Sequence, residues 1–258
     1  MFRTALHPKT LSAITTVLLL SAATQASAQV GQPWIDRGYF NLNVGFETTS
    51  GTLSDAAEFT LYEEAGNKRV DQNVDSGALF DFSVGTRVWE NVSVGLAYHR
   101  GANSSEASAT ASVPSPVLFN AHRAAAVAAT DLERRVRAFH IQVGYMMVLS
   151  DDLSVHVTAG PSFYRLAQEV IGDLAFAEAA PYTTVSASPV IEERSDSAAG
   201  INIGADVTYK LWESDAYKVG GGMFLRYSAA TARIRILEND VDSDLGGLQI
   251  GFGARVRF

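Results

Sequence analysis

The chain has 258 residues, 20 Lys and Arg against 28 Asp and Glu, a net charge of −8 and no cysteine. That acidity argues against a nucleic-acid partner, whose phosphates need a basic surface, and the absence of thiols excludes disulfides and Cys-based sites. Beyond the N-terminus no stretch is long and apolar enough for a membrane helix.

Residues 1–28 read as a secretory signal peptide. Arg3 and Lys9 form a basic head, Leu11 to Ala23 an apolar stretch, and Ala26-Ser27-Ala28 a small-x-small cleavage site. A spanning helix would need about 20 apolar residues, and threonines interrupt this shorter run. The expected mature domain is 29–258, with no Cys to carry a lipid anchor.

From there the pattern has period 2, the signature of strands with two different faces. Residues 37–48 put Phe40, Leu42, Val44 and Phe46 on one parity and Asn41, Asn43, Gly45 and Glu47 on the other. After a polar, acidic connection (49–76), strands are expected at 77–89 and 92–101, joined by Glu90-Asn91. A second long connection (102–133) contains the alanine-rich Asn120–Arg135, compatible with a short helix or with a longer following strand. Strands at 134–149 and 153–167 are joined by Ser150-Asp151-Asp152; Pro161 cannot donate to a ladder, so a bulge or an end of pairing is expected there. A third long connection (168–198) leads to strands 199–212 and 216–229 across Glu213-Ser214-Asp215, and a fourth (230–246) to the last strand, 247–258.

Eight strands with strictly alternating short and long connections predict an eight-stranded antiparallel up-and-down transmembrane β-barrel, with three short periplasmic turns and four long extracellular loops. A soluble barrel would also alternate, but its inward parity must fill a core. Here the parity opposite the apolar one carries Gly45, Gly85, Gly95, Gly144, Gly204, Gly222, Gly251 and Gly253 among charges, a poor core but a suitable lumen. Tyr39, Trp89, Trp212 and Tyr217 near strand ends fit interfacial girdles. A final strand paired on both edges would also hold its terminus against fraying.

The stretches "GALFDFSVGTRVWENVSVGLAY", "AGPSFYRL", "INIGADVTY" and "GGLQIGFGARVRF" resemble the OmpA/OmpX-type outer membrane β-barrel (porin-like) family of Gram-negative bacteria. The resemblance implies an outer membrane location. It also implies that the alternating apolar end, Phe252, Val256 and Phe258, is similar to the signal read by the barrel-assembly machinery. Activity is not implied, since such folds host many roles.

The inward parity predicts a lumen charge network of Glu47, Asp81, Arg87, Asp206, Arg226 and Arg255, with Lys210, Lys218 and Arg257 toward the periplasmic rim. Eight strands leave an interior that side chains can fill, so mixed charges are read as a plug rather than a conducting path, the alternative being a pore for small solutes or hydrophobic compounds. His99, His140 and His156 are all expected inward. His140 and His156 would differ in height by about 20 Å, too far for one metal, and His99 would face Asp81 in a hydrogen bond. "ENDVDSDLGG" lacks the glycine position and bidentate Glu of a calcium loop. Ser104, Ser105 or Ser162 with His99 or His122 would be needed for a lipid-modifying enzyme, but no spacing singles them out. No cofactor is expected. The expected partners are outer membrane lipids and lipopolysaccharide, whose phosphates the acidic loops could bridge through divalent cations. Long loops on a rigid scaffold favour a structural or surface-interaction role.

Overall fold

The structure is a computed structural model describing residues 33–258; the expected signal segment and its cleavage site lie outside the described residues. The chain forms ten antiparallel strands: β1 (Gly38–Thr48), β2 (Gly51–Leu61), β3 (Glu64–Val74), β4 (Gly77–Trp89), β5 (Val92–Pro114), β6 (His122–Val148), β7 (Leu153–Glu178), β8 (Val185–Glu213), β9 (Lys218–Arg235) and β10 (Asp240–Arg257). Eight of them, β1 and β4 to β10, close into a barrel, because β1 pairs with both β4 and β10 and β5 pairs with β6. At the closure Arg37 N and Gly38 N donate to Phe258 O at 2.6 and 2.8 Å, and Phe258 N donates to Gly38 O at 3.1 Å. Both ends of the barrel sequence are therefore tied to each other.

The apolar parity points outward. Phe46, Ile201, Met223 and Phe252 are each more than 60% exposed although they lie in the middle of regular strands. From Leu248 to Phe258 this face extends about 33 Å along β10 at 3.3 Å per residue, and a tilt near 40° turns that into about 25 Å of height, the thickness of an outer membrane apolar band. Trp89, Trp212 and Tyr217 are exposed at the short-turn end. Tyr39, expected beside them, instead points inward, 1% exposed and edge-on to His156. Gly85 and Gly95 make room for its ring; a Cβ at either would lie within 2.5 Å of it.

The four long connections are mostly strand. β5 and β6 run on to Pro114 and His122, so the alanine-rich segment is strand, and β7 and β8 continue to Glu178 and Val185. The first connection is the β2–β3 hairpin, which stands above β1 and β4; β3 pairs with the upper part of β5, from Asn67↔Ser112 to Gln72↔Ala107. Above the band the polarity reverses: Leu53, Val70, Ala109, Val113, Ile171 and Ile236 form a buried core, while Glu106, Ser108 and Thr110 face outward. A water-facing barrel must be apolar inside, whereas a lipid-facing one must be apolar outside. The same strands do both at different heights, and we call the upper part the dome.

Pro161 causes no bulge. β6 and β7 hold one register from His140↔Ser162 to Val143↔Ala159, and only the pairs between them drop out of the ladder. Parity therefore continues, with Phe163 outward and Tyr164 buried.

Seams without a ladder run through the dome: β6 and β7 stop pairing above Arg134↔Gln168, β8 and β9 stop above Gly200↔Ala230, and β2 has no ladder with the upper part of β10, where Gly246 and Gly247 take φ of +88° and +118°. The Asp55 carboxylate bridges the seam between β2 and β10. It accepts from Leu237 N (3.0 Å), Glu238 N (3.2 Å), Asn239 N (3.2 Å) and Asn239 Nδ2 (2.8 Å). Burial by itself raises the Asp55 carboxyl, but these donors outweigh it and hold it below the ordinary aspartate value. The bridge therefore contributes fully above the ordinary pKa near 4 and is lost as pH falls through the lower folded value.

The folded protein should migrate differently on detergent gels before and after boiling; unchanged mobility together with solubility in plain buffer would contradict the barrel. Limited proteolysis at the β9–β10 connection should increase below about pH 4, and Asp55→Ala should show that susceptibility already at neutral pH, with a loss of about 1–3 kcal/mol for the orphaned amides.

Candidate functional site

Each spanning strand turns every second side chain into a lumen only as wide as two of them meeting. The structure brings five of the six predicted charge-network residues into one buried hydrogen-bonded chain across the axis. Arg255, fully buried, grips Asp206 with Nε to Oδ1 at 3.0 Å and Nη2 to Oδ2 at 2.6 Å, and its Nη1 donates to Asn43 Oδ1 at 2.5 Å. Asn43 Nδ2 donates to Asp81 Oδ1 (3.0 Å), and Arg226 Nη1 donates to Asp81 Oδ2 (2.6 Å) and to Gln249 Oε1 (3.4 Å). Gln249 Nε2 donates to Glu47 Oε2 at 2.7 Å. Residues from β1, β4, β8, β9 and β10 are thereby connected through the centre of the barrel.

Arg87 is not part of this chain. It sits at the short-turn end, where its Nη1 donates to Trp34 O at 2.7 Å, because its strand position lies below the polar belt. Lys210 meets Glu213 at 2.6 Å and Lys218 meets Asp36 at 2.9 Å on the same rim, while Arg257 is buried over the Tyr39 ring.

His99, His140 and His156 are all inward as expected, while His122 is exposed on the dome, and the partner of His99 differs from the expected one. His99 is the ladder neighbour of Asp81, yet its Nε2 lies 3.1 Å from Glu47 Oε2, because Arg226 and Asn43 occupy the Asp81 carboxylate. His140 Nδ1 is 2.7 Å from Ser162 Oγ and His156 Nε2 is 2.9 Å from Ser93 Oγ. His156 pairs with Met146, six positions along β6 from His140, which keeps the two rings far apart. Ser162 and His140 are both fully buried, so their contact is closed to lipid. The acidic stretch Asp240, Asp242 and Asp244 is the outward face of β10 rather than a loop.

The neutral groups that complete the chain, Asn43 and Gln249, lie on the predicted inward parity, but nothing in the sequence says whom they meet. Arg134 is the charged residue that sequence reasoning passed over. It is 2% exposed at the top of the lumen, donating to Gln168 Oε1 (2.9 Å), Ser243 Oγ (3.3 Å) and Asp244 O (3.1 Å). The signal was present, since Arg134 shares the parity of His140 and Gln142.

Below the chain Trp34, Tyr39 and Met146 pack together, with Trp34 N bonded to Asn91 Oδ1 at 3.0 Å. A cavity of about 500 Å³ opens at this end, lined by Trp34, Met146, Lys210 and Arg257. The space left beside Asp81, Asp206 and Arg226 is about 20 Å³, room for roughly one water. At the outer wall Phe252 and Phe258 are exposed and Val256 half-exposed.

The family model described as "Outer membrane protein beta-barrel domain" matches residues 12–258. No curated protein matches the chain. Among solved structures, similar folds include the Neisserial surface protein A at 11% identity and TM-score 0.42, covering 86% of this chain and 97% of that one. Ail of Yersinia pestis gives 10% and 0.33, covering 85% and 99%, and OprG of Pseudomonas aeruginosa 10% and 0.40, covering 86% and 97%.

Arg226→Ala should strand Asp81, itself 1% exposed, and destabilise the barrel by about 3–5 kcal/mol. In a double-mutant cycle with Asp81→Asn the two losses should be strongly non-additive; additive losses measured by denaturant unfolding in micelles would show the pair to be uncoupled.

Proposed function

The chain belongs to the outer membrane protein beta-barrel domain family and lies in the cell outer membrane, and on that premise we propose that it is a closed barrel with a structural or surface-interaction role. The observation that carries this reading is the unbroken chain of polar contacts from Asp206 through Arg255, Asn43, Asp81, Arg226 and Gln249 to Glu47. An ion crossing it would have to separate bidentate and buried charge pairs. The apolar dome supports the same reading, since its packed interior stands above the polar belt and offers no hydrated path. Water-facing surface is then concentrated on the outside of the dome, with its many carboxylates, where a partner would be met.

A non-enzymatic role is part of this proposal. The two serine–histidine contacts in the lumen, His140–Ser162 and His156–Ser93, are both buried, and an acyl substrate would need to reach either through the packed wall. Phe252, Val256 and Phe258 on the exposed face of β10 are offered as the segment recognised by the assembly machinery while the barrel is still open.

Planar-bilayer recordings of the purified protein test the closed lumen. Wild type should show little or no steady conductance, and Arg226→Ala should raise it while lowering thermal stability. Steady, large, ohmic channels in wild type, with Arg226→Ala changing selectivity but not stability, would favour a solute pore instead.

A further inference from the structure

Immediately above the apolar band, on the outer wall, the ladders align three arginines. Arg100 pairs with Arg137 across β5 and β6, and Arg137 pairs with Arg165 across β6 and β7. All three are exposed. One step below, in the same registers, lie Tyr98, Phe139 and Phe163, the upper aromatic edge of the band. Adjacent strands are about 4.8 Å apart, so the backbone positions of the three arginines fall within about 10 Å of one another, in reach of a common phosphate group.

Like charges directly opposite in a sheet repel, and other outward arginines of the dome are compensated. Outward Arg69, Arg135, Arg194 and Arg233 each have a carboxylate within 4 Å: Asp71, Glu193, Glu192 and Asp242. Among the described residues none of Arg100, Arg137 and Arg165 has an ion-pair partner. An acidic protein thus keeps an uncompensated row of three arginines at the boundary between hydrocarbon and headgroup.

The wall beside the strip is also shaped. On β8 the outward residues opposite Arg165 and Phe163 are Ser197 and Ala199, so the side chains shrink abruptly and leave a depression bordered by Tyr98, Arg137, Phe139, Phe163 and Arg165. Its lower edge is continuous with the apolar band.

We propose that Arg100, Arg137 and Arg165 form a binding strip for the phosphate groups of the phosphorylated glycolipid of the outer leaflet, with an acyl chain lying in the depression beside Phe163 and Ala199. Guanidinium groups donate in pairs to phosphate oxygens, and a bound dianion removes the repulsion within the row. The inference requires the outer membrane location but not a closed lumen, so it stands or falls separately from the plug.

The test uses the full protein, delipidated in detergent micelles, with its melting temperature followed as ligand is added. Bisphosphorylated lipid A should raise the melting temperature of wild type and of the control Arg135→Gln/Arg233→Gln. It should leave Arg100→Gln/Arg137→Gln/Arg165→Gln unshifted. Dephosphorylated lipid A and inorganic phosphate at matched phosphate concentration should each give no comparable shift, which separates the headgroup from its chains and from free phosphate. Without lipid the triple variant should melt no lower than wild type, because repulsion rather than a bond is removed. Arg137→Gln alone should weaken lipid binding about tenfold, a measurement that remains open if the triple variant fails to fold. An equal shift in the triple variant, or an equal shift with dephosphorylated lipid or with phosphate alone, would overturn the proposal.

Discussion

Closure between β1 and β10 is the constraint on which the molecule depends. Hydrocarbon offers no partner to a free backbone N–H or C=O, so a sheet in the membrane must have no edges. The ladder from Tyr39↔Arg257 to Thr48↔Leu248 removes the last two. Once eight strands are closed, the lumen width is set, and it is a width that side chains can fill. Everything inside then follows from having to satisfy polar groups within that confined space.

The lumen meets this requirement with alternating charged and neutral members. Two arginine–aspartate pairs, Arg255–Asp206 and Arg226–Asp81, would each be costly if isolated, since desolvation opposes the Coulomb attraction. Asn43 joins them by accepting from Arg255 and donating to Asp81, and Gln249 extends the chain to Glu47. Inward glycines are the counterpart of these long residues. Gly144, for instance, leaves the space that His156 occupies, where a Cβ would come within 2.2 Å of Nε2.

The dome reverses the solution. Above the aromatic edge the outward neighbours are water rather than lipid, so the stabilising burial must come from inside, and Leu53, Val113, Ile171 and Ile236 provide it. Water can also satisfy an open edge, which is why the β2–β10 seam is tolerated there, bridged by Asp55 rather than by a full ladder. The cationic strip lies where the two regimes meet.

The strand spans, their parity, the short turns and the outward apolar face were legible in the sequence because side-chain alternation is a local property of a strand. Glu47, Asp81, Asp206, Arg226 and Arg255 could be placed inside on parity alone. Their partners could not. Which inward groups meet depends on the stagger between strands and on contacts across the axis, so His99 reaches Glu47 rather than its ladder neighbour Asp81. The upper strands were hidden for a related reason: in segments such as Ala107–Ala111 both faces carry small residues, and alternation of Ala with Ser or Thr has little contrast. Only pairing with β3 and β6, which buries one of those faces, decides that they are strand and makes the dome a packed body.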